Sequence, residues 1–286
     1  MTQQQRIRQN EKLRRKYEDA FYPAVEKSIK QQLSSFTSDL QQYGKDQAIA
    51  NMNLELWNKA IAPVINQLYV MAGLAKAGQV LGELRRLPKV QKKRSSFGYN
   101  EEWTQQILNY FQLHLFDKVV IPISDTTKDY IMEVISKGID QGWSIQQMVE
   151  DIERKDYLDG RVRRILRTES NRAINYGTEL AADKFEYKTQ KRWVAVHDNR
   201  TRHVHLSADG QTVNQDGMYT VGGEQMEFPG DPKASGANTI NCRCFSEIVA
   251  MRDANGRLIP KEDQPQIRVR GRLRAELQTI LVELKN

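Results

Sequence analysis

Three of the four histidines (His197, His203, His205) and both cysteines (Cys242, Cys244) fall in one stretch, Trp193 to Val249. Imidazole and thiolate are the donors that zinc selects. The same stretch, with the helix before it, supplies carboxylates and guanidinium groups at Glu169, Asp198, Arg200, Asp209 and Arg243. Three kinds of chemistry can be drawn from this set. A zinc centre takes His203, His205, Cys242 and Cys244, with His197 as a further donor. Against it, Cys-x-Cys is an unusual ligand spacing, and His203 and His205 point the same way only on a strand. A hydrolase or transferase uses His205, Asp209, Glu169 and Cys242. Against that, the sequence has no nucleophile elbow, and Gly222-Gly223 is turn chemistry and not a phosphate-cradling loop. In the third reading Asn241-Cys-Arg-Cys is a structural turn and strand. Arg243 then pairs with a carboxylate such as Glu169 or Asp198, and the cysteines pack as small hydrophobes. The third reading is favoured, with no catalytic residue and no cofactor.

The elements that must position this stretch are helical. Leu13, Tyr17, Phe21, Ala24 and Val25 recur at spacings of three and four, and Leu33, Phe36 and Leu40 carry the stripe to Gly44. Pro23 marks a kink or a helix start within that run. A second helix is expected over 54–75, burying Leu56, Ile61, Val64, Ile65, Leu68 and Met71. A third stripe holds Trp103, Ile107, Tyr110, Phe111, His114 and Leu115, with His114 as a packed histidine. Pro122 should break it, and Ser124 to Thr127 should cap a helix ending at Gly138. Ser144-Ile-Gln-Gln147 is a capping box for a helix over 145–154. A longer helix follows over 160–187. Its Arg164, Arg167, Thr168, Glu169, Asn171, Arg172 and Asn175 form a polar face able to hold the next segment by charge-assisted hydrogen bonds.

After Thr189 the period changes from helical to alternating. Strands are expected at 191–196, 211–213, 226–228 and 244–249, with turns at Asp198 to Thr201, Asp209-Gly210 and Gly222-Gly223. The fold expected is mainly α with a small α+β module. A helical N-terminal region (1–120) leads to a helical middle (121–187), a short antiparallel β-rich part (188–250) and a basic tail (251–286).

The chain has 286 residues and a formal net charge of +7. No run of about 18 apolar residues reads as a membrane span. The N-terminus is polar and lacks the apolar core of a signal peptide. Two cysteines do not make a disulfide framework, which fits an intracellular setting. Basic charge is concentrated in Arg85, Arg86, Lys89, Lys92, Lys93 and Arg94, in the run from Arg161 to Arg167, and in Arg268, Arg270, Arg272 and Arg274. These stretches suit a polyanion such as double-stranded DNA, or acidic faces of protein partners. The sequence does not separate the two.

Arg167-Thr-Glu169, then Trp193, Asp198-x-Arg200-Thr201, His205, Asp209-Gly210 and Asn241-Cys-Arg-Cys244 come in an order and spacing that resembles the phage Mu protein F-like head morphogenesis family, the phage minor head or minor capsid proteins. The resemblance covers roughly residues 125–250. It implies a non-enzymatic component of a tailed-phage virion, made in the bacterial host cytoplasm and placed inside the head near the portal vertex. Its implied partners are the portal protein, the major capsid protein or scaffold, and packaged DNA. Its implied work is head assembly, genome packaging or ejection. Arg167, Glu169, Trp193, Asp198, Arg200, His205, Asp209, Cys242, Arg243 and Cys244 become the structural centre of the family motif. Many relatives have Cys-x-x-Cys after the Arg-Thr pair and a histidine before Cys-Arg-Cys, which looks like four metal ligands. Here Arg202 and His205 stand at those cysteine positions, and Thr239 where the histidine is expected.

Overall fold

A computed structural model describes residues 2–88 and 99–261. Helix α1 (Gln3–Tyr43) starts in a capping box between Thr2 and Gln5 and stops at Gly44, whose φ of +80° suits glycine. Pro23 lies inside α1 and neither starts nor ends it. Its ring faces solvent, so the carbonyl it leaves unbonded, that of exposed Asp19, can be hydrated. After the short α2 (Lys45–Ala50), α3 (Leu54–Leu84) forms one continuous helix capped by the Asn53 side chain. Gly78 and Gly82 do not interrupt it.

The buried stripe of α3 runs through Trp57, Ile61, Ile65, Leu68, Tyr69, Ala72 and Ala77. Leu56 and Met71, expected inside, are exposed. Each sits one position, about 100° of helix rotation, from the true centre of the stripe. The helix is turned so that Ala72 and Gly73, which have almost no side chain, meet the neighbouring helix. By length and mean hydropathy α3 would pass as a membrane span. In this fold it is the core helix between α1 and α7, with Asn58 and Lys76 also buried.

Helix α4 (Tyr99–Tyr110) passes into a π-helical stretch (Phe111–Val120) and then α5 (Ile121–Asp140). The wider π turn places Phe111, Leu115 and Val119 inside at steps of four, and swings Leu113 and His114 out. His114 is therefore not a packed histidine. It is exposed, with its ring 5.2 Å from that of Tyr110. Pro122 lies where the π stretch passes into α5, and the helical run continues through it without a break. The Thr126 and Thr127 hydroxyls bond back to the carbonyls of Pro122 and Ile123, as mid-helix residues do, and form no cap. Gly138 lies within α5, under the Met148 side chain.

The capping box at Ser144 and Gln147 does open α6 (Ile145–Ile152). Helix α7 (Lys155–Lys184) follows. One hydrophobic core joins α1, α3, the α4–α5 run, α6 and α7, from Tyr17 to Phe185, and also takes in Phe228.

Strand β1 (Thr189–Val194) is central in an antiparallel sheet of order β2-β1-β5. Helix α8 (His203–Ser207), β2 (Thr212–Asn214), β3 (Tyr219–Val221), β4 (Glu224–Met226), α9 (Gly236–Thr239) and β5 (Phe245–Ala250) complete the module. Gly222 and Gly223, both at positive φ, make the two-residue turn between β3 and β4. A second, smaller core holds Trp193, Ala195, Ala208, Tyr219, Val221, Met226, Cys242 and Cys244. The fold is mainly α with a small α+β module.

Candidate functional site

The polar face of α7 is where the two cores meet. Thr168 Oγ1 accepts the Asn241 N–H at 3.0 Å. Asn171 and Asn175 each donate to the Cys244 carbonyl at 3.1 Å, and Asn175 Oδ1 accepts the Ser246 N–H at 2.9 Å. Arg172 Nε donates to the Gly230 carbonyl at 2.5 Å, holding the buried Phe228 to Pro232 loop against the helix. That loop is closed by Asp231, which accepts the backbone N–H groups of Glu227 and Lys233. Four side chains on one helical face thus satisfy buried backbone groups of the module. Each would otherwise be an unpaired polar group away from water.

Glu169 takes a different part from the one expected. It accepts two bonds from Arg172, at 2.9 and 2.7 Å, and one from the Tyr69 hydroxyl at 2.7 Å. It therefore ties α3 to α7 and does not reach Arg243. Arg243 pairs with Asp198 through both terminal nitrogens, at 2.6 and 2.5 Å. Arg243 holds the Asp198 carboxyl well below the usual carboxylate range, helped by the backbone N–H of Arg200 and the Thr201 hydroxyl. Arg200 itself is exposed and only 3.4 Å from Asp198, a weak contact. Arg167 is half-buried and makes no hydrogen bond or ion pair among the described residues. Asp209 Oδ1 accepts the Ala195 N–H at 2.8 Å, and Oδ2 meets His197 Nε2 at 2.7 Å. Asp209 thereby fastens the end of β1 to the turn after α8.

Trp193 is fully buried at the middle of the smaller core. The His205 ring stands edge-on to it at 5.6 Å and the Tyr219 ring at 5.3 Å. His203 and His205 lie on a helix, not a strand, so they diverge: His203 is exposed and His205 is buried. His205 Nδ1 sits 3.6 Å from Cys242 Sγ and 3.4 Å from Cys244 Sγ. The Cys242 thiol is lowered, first by the neighbouring Cys244 thiol, and further by His205. Cys244 is raised by the same neighbour and by burial. His203 and His197 are not part of this cluster.

Of the four residues of the hydrolase reading, hydrogen bonds join only His205 and Cys242. Glu169 and Asp209 are committed elsewhere. The cavity beside His205, bounded by Arg200, Arg202, Asn241 and Arg243, measures about 10 Å³, room for one water.

The basic stretches fare unequally. Arg85 is held by Glu186 at 3.1 Å, and Arg86 is exposed. The run from Arg161 to Arg167 is not one basic face. Arg161 is buried on the Ile123 carbonyl, and Arg163 lies over the Tyr22 ring and beside Asp159. Lys89, Lys92, Lys93, Arg94, Arg268, Arg270, Arg272 and Arg274 lie outside the described residues. Sequence reasoning passed over Tyr69 and Asp231. Tyr69 lies a hundred residues from Glu169, and nothing local marks their meeting. The Asp-Pro pair after a glycine did mark a loop, but not that the loop is buried.

Fold and site together define a class: a helical scaffold whose helix α7 clasps a small cysteine-bearing β module through backbone-directed side chains. Residues 129–247 match the model of the family described as Phage Mu protein F like protein. It is 29% identical over 118 residues to the minor head protein GP7 of Bacillus phage SPP1, a match covering 40% of this chain and 38% of that protein. No solved structure matches the chain.

Proposed function

We propose that this protein is a minor head protein of a tailed phage. In this reading it is a structural, non-enzymatic component that assembles with the portal protein and with the major capsid protein or scaffold. Its place is inside the head near the portal vertex, where it aids head morphogenesis, genome packaging or ejection and touches packaged double-stranded DNA without sequence preference. The observation that supports it most is the family domain itself, in which Thr168, Asn171, Arg172, Asn175, Asp198 and Arg243 are spent on internal ties.

Co-expression with the portal and capsid proteins of the same phage tests the reading. Retention in purified heads, and loss of that retention when the portal is left out, is the expected result. A chain that stays free and monomeric in the presence of both overturns it. For DNA contact, affinity should fall steeply with salt, and substitution of Arg86, Lys89, Lys92, Lys93 and Arg94 should make that slope shallower.

The contact between Cys242 and His205 is the one observation on the side of a hydrolase or transferase. His205→Ala separates the readings: an enzyme assembles normally and loses turnover, whereas a structural histidine gives poorer folding and defective heads.

A further inference from the structure

We propose that His205, Cys242 and Cys244 hold one zinc-class divalent ion as a structural centre, with a single water as its fourth ligand. The three donor atoms lie within 4.8 Å of one another, and all three residues are buried. A tetrahedral zinc with Zn–S near 2.3 Å and Zn–N near 2.0 Å has an S-to-N ligand edge of roughly 3.5 Å. The two edges here are 3.6 and 3.4 Å. Both S-to-N edges of a tetrahedral centre are already in place.

Thiol hydrogen bonding alone accounts for this arrangement poorly. A neutral imidazole nitrogen without hydrogen accepts one proton through one lone pair, yet two sulfurs converge on Nδ1. One of the two contacts then sets lone pair against lone pair. A cation between the three atoms satisfies all of them at once, and Nε2, buried and unpartnered, keeps the ring proton.

Charge points the same way. Binding releases the two thiol protons to solvent, so a doubly charged ion meets two thiolates, a neutral imidazole and a neutral water. The sum is zero, which suits a buried location where net charge is costly.

Local geometry aims the ligands. Asn241 has φ of +60°, the one described non-glycine residue at positive φ, and turns the chain into the Cys242-Arg243-Cys244 segment that leads into β5. Both thiols face His205, while Arg243 between them reaches Asp198. Among the described residues no further His, Cys, Asp or Glu joins the donor group. The space next to it, about 10 Å³ between Arg202 and Asn241, admits one water and no substrate. Three protein ligands with an open position usually signal a catalytic zinc; here the size of the opening makes the site structural. The ion would pin α8 to the segment leading into β5.

The test uses the full chain alone, so its failure is distinct from failure to assemble into heads. Elemental analysis of protein purified from zinc-supplemented cells should give one zinc per chain. After chelation, cobalt(II) should produce thiolate-to-metal charge-transfer absorption and the ligand-field bands of a tetrahedral ion, read on the unaltered protein. Cys244→Ser should weaken metal binding at least about tenfold. His205→Cys should retain it, and His203→Ala should leave it unchanged. Metal content near zero with no cobalt–thiolate band overturns the proposal. So does a bound ion whose affinity and cobalt spectrum ignore Cys244→Ser, because the ion then sits elsewhere.

Discussion

The Asp198–Arg243 pair has one partner nearly buried and the other at the surface, with side-chain exposures of 8% for Arg243 and 31% for Asp198. Two charge-assisted bonds in that setting matter more than an ordinary surface pair. Asp198→Asn should cost about 1.5–3 kcal/mol at neutral pH, the range for hydrogen bonds to charged groups. Its pH signature has a definite sign. The folded carboxyl lies below its unfolded value, so its contribution is present above the unfolded carboxylate range and is lost as pH falls through the depressed folded value. Denaturant midpoints measured from neutral to strongly acid pH should show a shallower acid limb in Asp198→Asn; an unchanged limb removes this account. Glu179 works in the opposite sense. Burial pushes its carboxyl up to about 7, with Lys191 at 3.3 Å and Gln215 at 2.7 Å opposing and Asp183 adding to the rise. Its folded state holds a proton that the unfolded chain has already lost. Stability should therefore decline as pH rises from the unfolded carboxylate value to about 7, and level off above. Glu179→Gln should flatten that decline. At this scale the sequence narrowed Arg243 to two partners, and geometry chose between them: Glu169 sits a helical turn from Arg172, which claims it.

At the scale of elements, α3 meets α7 backbone to backbone at Gly73 and Gly177. A Cβ built on Gly177 would lie 2.3 Å from the Gly73 carbonyl oxygen, backbone against backbone. Gly177→Ala must therefore push two long helices apart, and should cost at least the 1–3 kcal/mol typical of overpacking, about. Gly73→Ala should cost less, because its Cβ would meet the Ile107 Cδ1 at 3.1 Å, the movable end of a side chain. Urea midpoints of the two variants check the order; equal losses would mean the helices yield without resistance. This crossing also explains what the pattern of residues conveyed and what it did not. The capping box at Ser144, the change of period after Thr189 and the glycine turn at 222–223 were legible because each is a local signal. The phase of α3 was not. Leu56 and Met71 are as apolar as the residues that are buried, and only the glycine contact with α7 decides which face turns inward. Likewise His114 was misplaced because a π turn, which leaves no mark in the apolar pattern, changes the step from one buried residue to the next.

At the scale of the whole molecule, the family match begins at residue 129, but the core does not. Tyr17, Phe21, Val25, Ile29, Leu33, Phe36 and Leu40 of α1 are buried in the same cluster as Ile165, Leu166, Ala173 and Ile174 of α7. Each large apolar side chain so buried is worth about 1.5–3 kcal/mol. The seven together are comparable with, or larger than, the roughly 5–15 kcal/mol net stability of an ordinary domain. A fragment carrying residues 121–261 has the family motif, the clasp and the cysteine cluster, yet lacks α1 and α3, the two helices that cover α7. It should be expressed as an aggregating or loosely packed chain, with retained helical circular dichroism, strong binding of a hydrophobic dye and no cooperative melt. The full chain should melt cooperatively. A fragment that melts sharply would show that the motif region carries its own core, and that α1 and α3 are an added layer. The expected outcome has a consequence for assembly. If α1 and α3 are core, they are not arms laid along a partner. The contacts proposed with portal and capsid must then come from surfaces that the core leaves free, such as the exposed Leu113 and His114 of the π stretch and the outer face of α8. Leu113→Asp should accordingly leave the melt of the isolated chain unchanged and reduce its retention in heads, a pair of readings that separates a partner surface from a structural one.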